Sequence, residues 1–474
     1  MKTENQVTRR HFIRMLGQGA MASVALKMDA FGYESQSPTH KPNILMILVD
    51  DLGYGDLSCQ GAVDMKTPHL DALMQAGMRF EPFYANCPVC SPTRAALLTG
   101  RYPDLAGVPG VIRTHQKNSW GYLSGHAVLL PKLLKKEGYH TAMVGKWHLG
   151  MESPNTPSEQ GFDFAQGFLG DMMDDYWTHR RHGINYMVHN AQKIDPEGHA
   201  TDLFSKWSVD YINSRARKTQ PFFLYLAYNA PHTPIQPPKN WLRKVKAREQ
   251  GISDKRAKLV ALIEHMDFGI GQVIQALKYS GQWNNTLVLF TSDNGGQVNV
   301  GANNGGLHGG KQDMWEGGIR VPCCAVWPGK IKPGSKNRGQ IGTTMDLYPT
   351  ICSAAGAKVS HKIDGIDLLP TFQGKPPASS DRTIFWVRRE GGPRYGGRAY
   401  YAARRGPWKL LQNTPFEPMQ LFNLRDDPKE QNPLPTNHKM YRTLFQALQN
   451  HINQAGGVPW GKYPVDVERV YEGE

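Results

Sequence analysis

Ile44-Leu45-Met46-Ile47-Leu48-Val49-Asp50-Asp51-Leu52-Gly53 runs six apolar residues straight into two aspartates and a turn. A short apolar run without polar alternation marks a strand buried on both faces, as in a parallel sheet. The form recurs at Thr286-Leu287-Val288-Leu289-Phe290-Thr291, which leads into Ser292-Asp293-Asn294-Gly295-Gly296, and at Pro221-Phe222-Phe223-Leu224-Tyr225-Leu226-Ala227. Residues 140–144 and 78–85 read as further strands. Helical segments alternate with them: Thr67-Pro68 opens one that stops at Gly77, and residues 127–136, 199–214 and 255–279 form others. This alternation predicts an α/β fold with a large, mostly parallel sheet flanked by helices. Beyond about residue 374 short strands at 382–387, 400–403, 408–411 and 419–421 precede a helix near 440–454. They predict a smaller α+β subdomain, an antiparallel sheet plus a helix. The predicted division is 1–38 as leader and linker, 39–375 as the main α/β domain and 376–474 as the C-terminal α+β subdomain.

The 474 residues are 40% hydrophobic with 6 Cys, which suits a globular enzyme and excludes a disulfide scaffold. Net charge is +14; residues 1–38 hold five Lys/Arg and three acids, so the remainder carries +12. The basic residues are scattered and no nucleic-acid-binding motif accompanies them, so no nucleic acid partner is expected. A field that gathers anions fits the charge. Thr8-Arg9-Arg10-His11-Phe12-Ile13-Arg14 precedes a weak apolar run, the twin-arginine export arrangement. No run reaches a spanning length, so the expected mature protein is exported by the Tat machinery to the periplasm or beyond, with no membrane span.

Two strands thus end in polar pairs, Asp50-Asp51 and Asp293-Asn294. Ligands bind at the carboxyl ends of strands in open α/β sheets, and three carboxylates plus an amide make an oxygen site suited to Ca²⁺ or Mg²⁺. Either pair alone is also an ordinary turn. Cys87-Pro88-Val89-Cys90-Ser91-Pro92-Thr93-Arg94 lacks the second pair that a zinc site needs and the context of a redox motif. Ser91-Pro92 begins a helix through Leu98, which puts Cys90 at its positive end and Arg94 one turn on.

Cys90-Ser91-Pro92-Thr93-Arg94, with Leu98-Thr99-Gly100-Arg101 after it, resembles the signature of type I sulfatases, members of the alkaline phosphatase-like superfamily. Gly145-Lys146-Trp147-His148-Leu149-Gly150, Ala230-Pro231-His232-Thr233-Pro234 and Gly309-Gly310-Lys311 through Pro322 match further blocks of that family in its order. The resemblance implies an alkaline phosphatase-like fold and a sulfuric ester hydrolase in which a maturation enzyme oxidises Cys90 to Cα-formylglycine. It implies one Ca²⁺ on Asp50, Asp51, Asp293 and Asn294, with an oxygen of modified Cys90 as a further ligand. It also implies that Arg94 and Lys146 steady the aldehyde hydrate, that Lys146 and Lys311 bind sulfate, and that His148 and His232 manage protons.

Such a mechanism needs cations around the sulfuryl group and an acid at the departing oxygen. His232 suits the acid, with Lys311 as the alternative; one hydroxyl of the hydrate attacks sulfur, and the second, deprotonated by His148, expels sulfate. Trp177, His179, Arg180 and Arg181, and Arg394 further on, combine aromatic and basic groups that suit a sulfated sugar. The expected substrate is a sulfated poly- or oligosaccharide. The alternatives are a phosphomonoesterase or phosphodiesterase of the same superfamily, which would want a Ser or Thr in place of Cys90, and an inactive relative that only binds sulfated glycans.

Overall fold

Alternation along one strand sets the layers. In a computed structural model of the chain the described residues are 41–115, 119–376, 381–390 and 398–461. The strand Asn43–Val49 sends Ile44, Met46 and Leu48 into one apolar core and Leu45, Ile47 and Val49 into another. Successive side chains of a strand face opposite ways, so a strand with no polar face must be covered twice. The helices Cys90–Thr99, Leu130–Lys136 and Leu347–Ala355 cover one side. Pro68–Ala76, Ala200–Arg215 and Asp254–Tyr279 cover the other.

Among the described residues the sheet has ten strands, in the order Ser335–Asn337, Met78–Phe80, Cys323–Val326, Thr286–Ser292, Asn43–Val49, Phe222–Ala227, His140–Lys146, Phe164–Phe168, Met187–His189, Gln192–Lys193. The five from Thr286–Ser292 to Phe164–Phe168 run parallel, and antiparallel pairs flank them on both sides. Val49 is level with Ser292, Leu48 with Ala227, and Ala227 with Gly145. The next residue along three of these strands is Asp50, Asp293 or Lys146, so the register delivers all three to one edge.

A four-stranded antiparallel sheet, Thr383–Glu390, Arg398–Arg405, Trp408–Gln412 and Gln420–Asn423, follows in chain order. Helix Lys439–Gly456 packs Leu444 and Leu448 on its Ala403, Leu410 and Leu421. The expected α/β fold and C-terminal α+β element are both present. Among the described residues no helix is long and apolar enough to cross a membrane.

Some expectations need correction. The strand at 78–85 is two, Met78–Phe80 and Phe83–Tyr84, interrupted at Pro82, which has no N–H for a ladder. The helix expected from 127 starts at Leu130, with Pro131 in its first turn. Helix Lys239–Arg248 is not among those expected from the sequence; it is mostly polar and buries only Val245 fully. The leader at 1–38 lies outside the described residues, as do residues 377–380 beside the expected 375/376 boundary.

Candidate active site

Asp50 and Asp51 follow the end of their strand, where Asp51 takes a left-handed φ of +66°. This turn lets adjacent carboxylates, which an extended strand would point apart, share one site. Oxygens of both lie within 4.8 Å of one another, of the Cys90 sulfur and of a His232 ring nitrogen. The second polar pair, Asp293-Asn294, meets the first across the parallel register. The Asp51 amide donates to Asp293 Oδ1 at 3.2 Å, and Asn294 Nδ2 donates to Asp51 Oδ1 at 2.7 Å and to the Gly295 carbonyl at 2.9 Å. Those two donations identify the other amide atom as oxygen, and Asn294 Oδ1 is buried without a hydrogen-bond partner.

Cys90 is the first residue of its helix and is buried. Its thiol donates to Asp50 Oδ1 at 3.2 Å. Burial and the Asp50 charge push the thiol well above its ordinary range, so as a thiol it stays protonated. One turn on, fully buried Arg94 places Nε and Nη2 on Asp293 Oδ2 at 3.1 and 2.7 Å and Nη1 on the Lys146 carbonyl at 3.1 Å. Nη2 also lies 3.5 Å from Asp50 Oδ2, so the guanidinium meets two carboxylates and a backbone oxygen and braces Asp293.

Lys146 arrives on the strand His140–Lys146, separated from Asn43–Val49 by Phe222–Ala227. The preceding Gly145 has φ +110°, and a Cβ there would lie 1.9 Å from the Ala227 carbonyl oxygen, so only glycine lets the two strands close at this point. The Lys146 ammonium pairs with Asp50 Oδ2, and the Lys311 ammonium with Asp51 Oδ2 at 2.6 Å. Burial alone would raise Asp50, but Lys146, His232, Arg94 and Lys311 overturn this and hold its carboxyl well below the usual range. Burial and the charge of Asp50 push Asp293 up to about 7.

His232 directs Nε2 toward Asp51 Oδ2 at 3.6 Å and Nδ1 toward the Thr233 carbonyl at 2.6 Å. Burial and Lys311 lower its pKa. His148, at φ +60°, sets Nε2 on the Ile112 carbonyl at 2.7 Å. That carbonyl requires a donor, which leaves buried Nδ1 as a bare acceptor without a partner. Burial, Lys146 and Arg94 hold His148 well below its ordinary pKa.

Three carboxylates and the unpartnered Asn294 oxygen form an all-oxygen donor set, and this fits a hard divalent cation such as Ca²⁺. Above it opens a cavity of about 570 Å³ lined by Cys90, His148, His232 and Lys311. Of the residues read as sugar-binding, Arg181 lines this cavity, held by Asp171 at 3.1 Å and Asp174 at 2.7 Å. Arg180 pairs with Asp195 at 2.6 Å outside it. Trp177 is 48% exposed and meets His199 edge-on. His179 is buried, its Nε2 on the Gly198 carbonyl at 2.9 Å, which gives it a structural contact and no exposure to the cavity. Arg394 lies outside the described residues. Asp171, and Glu390 clasped by Arg113 at 2.6 Å, line the cavity and had no local signal.

The Sulfatase family model matches residues 42–357, and the model for the C-terminal part of N-sulphoglucosamine sulphohydrolase matches residues 306–456. The chain is 32% identical over 490 residues to N-acetylgalactosamine-6-sulfatase of Mus musculus, covering 91% of this chain and 90% of that protein. It is 27% identical to human steryl-sulfatase, covering 90% and 91% respectively. The crystal structure of Ps i-CgsB in complex with k-i-k-neocarrahexaose is similar with a TM-score of 0.81 and 31% identity, covering 91% of this chain and 97% of that one. With a family match across most of the chain and relatives aligned nearly end to end, this chain belongs to the sulfatase family and is a sulfuric ester hydrolase.

Proposed function

We propose that the enzyme removes sulfate from a sulfated saccharide, with Cys90 converted to Cα-formylglycine and one Ca²⁺ held by Asp50, Asp51, Asp293 and Asn294. The observation that carries this reading is the position of the Cys90 sulfur, 3.2 Å from Asp50 Oδ1 in a cavity also lined by His148, His232 and Lys311. A thiol held protonated is a poor nucleophile, which favours a modified residue at this position. Bound together, the ion and the formylglycine hydrate would supply positive charge against a sulfuryl oxygen and the attacking hydroxyl.

The remaining work falls to the chain's own side chains. Lys146 and Lys311 now neutralise Asp50 and Asp51; turned to the substrate, they bind equatorial sulfate oxygens, where charge gathers in the transition state. Arg94 keeps Asp293 in place. His148 accepts a proton at Nδ1, since Nε2 is committed to Ile112. His232 keeps Nδ1–H on the Thr233 carbonyl and, in its imidazolium form, delivers a proton from Nε2 to the departing oxygen, with Lys311 as the other donor in reach.

Support for a saccharide comes from the relatives: one is named for N-acetylgalactosamine 6-sulfate ester cleavage and another holds a neocarrahexaose. The same reading includes maturation of Cys90 by a formylglycine-generating enzyme and export through Arg9-Arg10 to the periplasm or outside the cell. The test is sulfate release from a panel of defined sulfated oligosaccharides, with Cys90→Ala as control. Release from at least one sugar, absent in the control, is the expected result. Turnover of aryl sulfates alone would overturn the saccharide assignment.

A further inference from the structure

Gln312 occupies a left-handed backbone position, φ +83°, next to Lys311. Any side chain with a Cβ adopts this region at a cost. The surrounding loops use glycine at their other left-handed positions, Gly301, Gly305, Gly306 and Gly309. Position 312 carries a long carboxamide instead. Its backbone is fixed at both ends: the amide donates to the Pro88 carbonyl at 2.9 Å, and the carbonyl accepts from Arg388 Nη1 at 2.8 Å. Neither clamp uses the side chain, and the carboxamide has no hydrogen-bond partner among the described residues.

The placement of that side chain is specific. Gln312, Gln297 and Lys311 line the reaction cavity and also border a second, open cavity of about 670 Å³. The Gln297 carboxamide is likewise without a partner among the described residues, and Asn299 and Asn303 continue the amide lining. The charged groups of this second cavity are already engaged. Asp313 accepts from the Gly310 amide at 2.9 Å and from Asn413 Nδ2 at 3.0 Å, and Lys311 pairs with Asp51. Free carboxamides at Gln297 and Gln312, beside a Lys311 already paired with Asp51 and an Asp313 that keeps its negative charge, suit hydroxyl groups, since each carboxamide both donates and accepts. They do not suit a second anion.

We infer that Gln312 and Gln297 form a specificity-determining subsite, binding the hydroxyls of an uncharged sugar ring adjacent to the sulfated one. This rests on the saccharide reading above. It adds a direction to it: the substrate chain leaves the sulfate cavity past Lys311 into the amide-lined cavity.

Gln312→Gly tests the assignment, because glycine is at ease at φ +83° and the backbone clamps remain. A purely structural role would lower the unfolding temperature along with activity. The expected result is an unfolding temperature at or above the parent's, with kcat/KM for a sulfated oligosaccharide reduced at least ten-fold more than for an aryl sulfate, mostly through KM. Gln297→Ala should shift the same ratio in the same direction. A change in the ratio below two-fold in both variants overturns the subsite while leaving the saccharide reading intact. If the parent itself cleaves no sulfated oligosaccharide, the saccharide reading falls and the subsite with it.

Discussion

Lys409 stands between two buried carboxylates, its ammonium 3.0 Å from Glu316 Oε1 and 2.7 Å from Glu430 Oε1. Lys409 belongs to the C-terminal sheet, whereas Glu316 follows the loop that carries Lys311. The Glu316 amide also donates to Glu430 Oε2 at 2.7 Å. Burial pushes Glu430 up to about 7, helped by the charge of Glu316. Removing the ammonium strips Glu430 of its cation and leaves Glu316 with only the more distant Arg404 at 3.7 Å and Arg320 at 4.0 Å. Lys409→Met should therefore cost about 3–5 kcal/mol in chemical denaturation; a loss below about 1 kcal/mol would show that the cluster relaxes freely.

Maturation is checked by mass. The peptide containing Cys90, from protein made with a competent maturation system, should carry an aldehyde in place of the thiol. Cys90→Ala should abolish turnover while keeping the fold, since the change is small and the site is held by other residues. Full activity from protein with only thiol at Cys90 would contradict the mechanism.

Metal binding should be visible without turnover. Ca²⁺ that binds only the folded chain raises its unfolding temperature with concentration. Asp51→Asn and Asn294→Ala each weaken the oxygen set, so both should blunt this shift and lower activity. An undiminished shift in both variants, or full activity after exhaustive chelation, would refute the site.

The pH profile follows from His148. Its folded pKa is depressed by burial, Lys146 and Arg94, so the neutral base persists well below the ordinary value of about 6.5. The acid limb of kcat/KM assigned to this base should accordingly fall well below pH 6.5. The linkage has a matching sign: His148 contributes stability that is full above its unfolded pKa and is lost as pH falls, because the unfolded chain takes up the proton first. An acid limb at 6.5 that His148→Gln removes would contradict the assignment.

Two neighbouring arginines should behave differently. Arg181 lines the reaction cavity, and Arg180 pairs outside it with Asp195. Arg181→Ala should lower kcat/KM for a sulfated oligosaccharide about ten-fold, roughly 1.4 kcal/mol. Arg180→Ala should stay near the parent. Equal losses in both would point to general charge attraction, which added salt would erase.

The central strands were legible because their apolar runs are continuous and end in acids, as at Val49-Asp50-Asp51. The shortest strands were not: Gln192–Lys193 at the sheet edge, and Arg180–Arg181 in a separate two-stranded pair with Ile184–Asn185, are two residues long and exposed or half-buried, too short for any period to register. The site residues in local blocks, Cys90 with Arg94 and Lys146 with His148, could be named from the chain. Glu390, clasped by Arg113, and the Lys409 cluster depend on partners far away in sequence, so nothing near them announces a role, and Asp171 meets Arg181 ten residues on without forming a motif. His179 illustrates the opposite error, a chemically apt residue whose ring the fold turned inward onto Gly198.

The parallel register between Asn43–Val49 and Thr286–Ser292 bears on how activity is gained. Lys311 and Asp51 are 260 positions apart, and Arg94 and Asp293 are 199 apart. No single segment of the chain holds the complete centre, so local structure alone cannot carry it. Contacts of such long range close late, after the intervening loops have lost their freedom. Sulfate release should thus return on refolding together with the last strand pairing and never ahead of it, which makes turnover a reporter of the completed sheet.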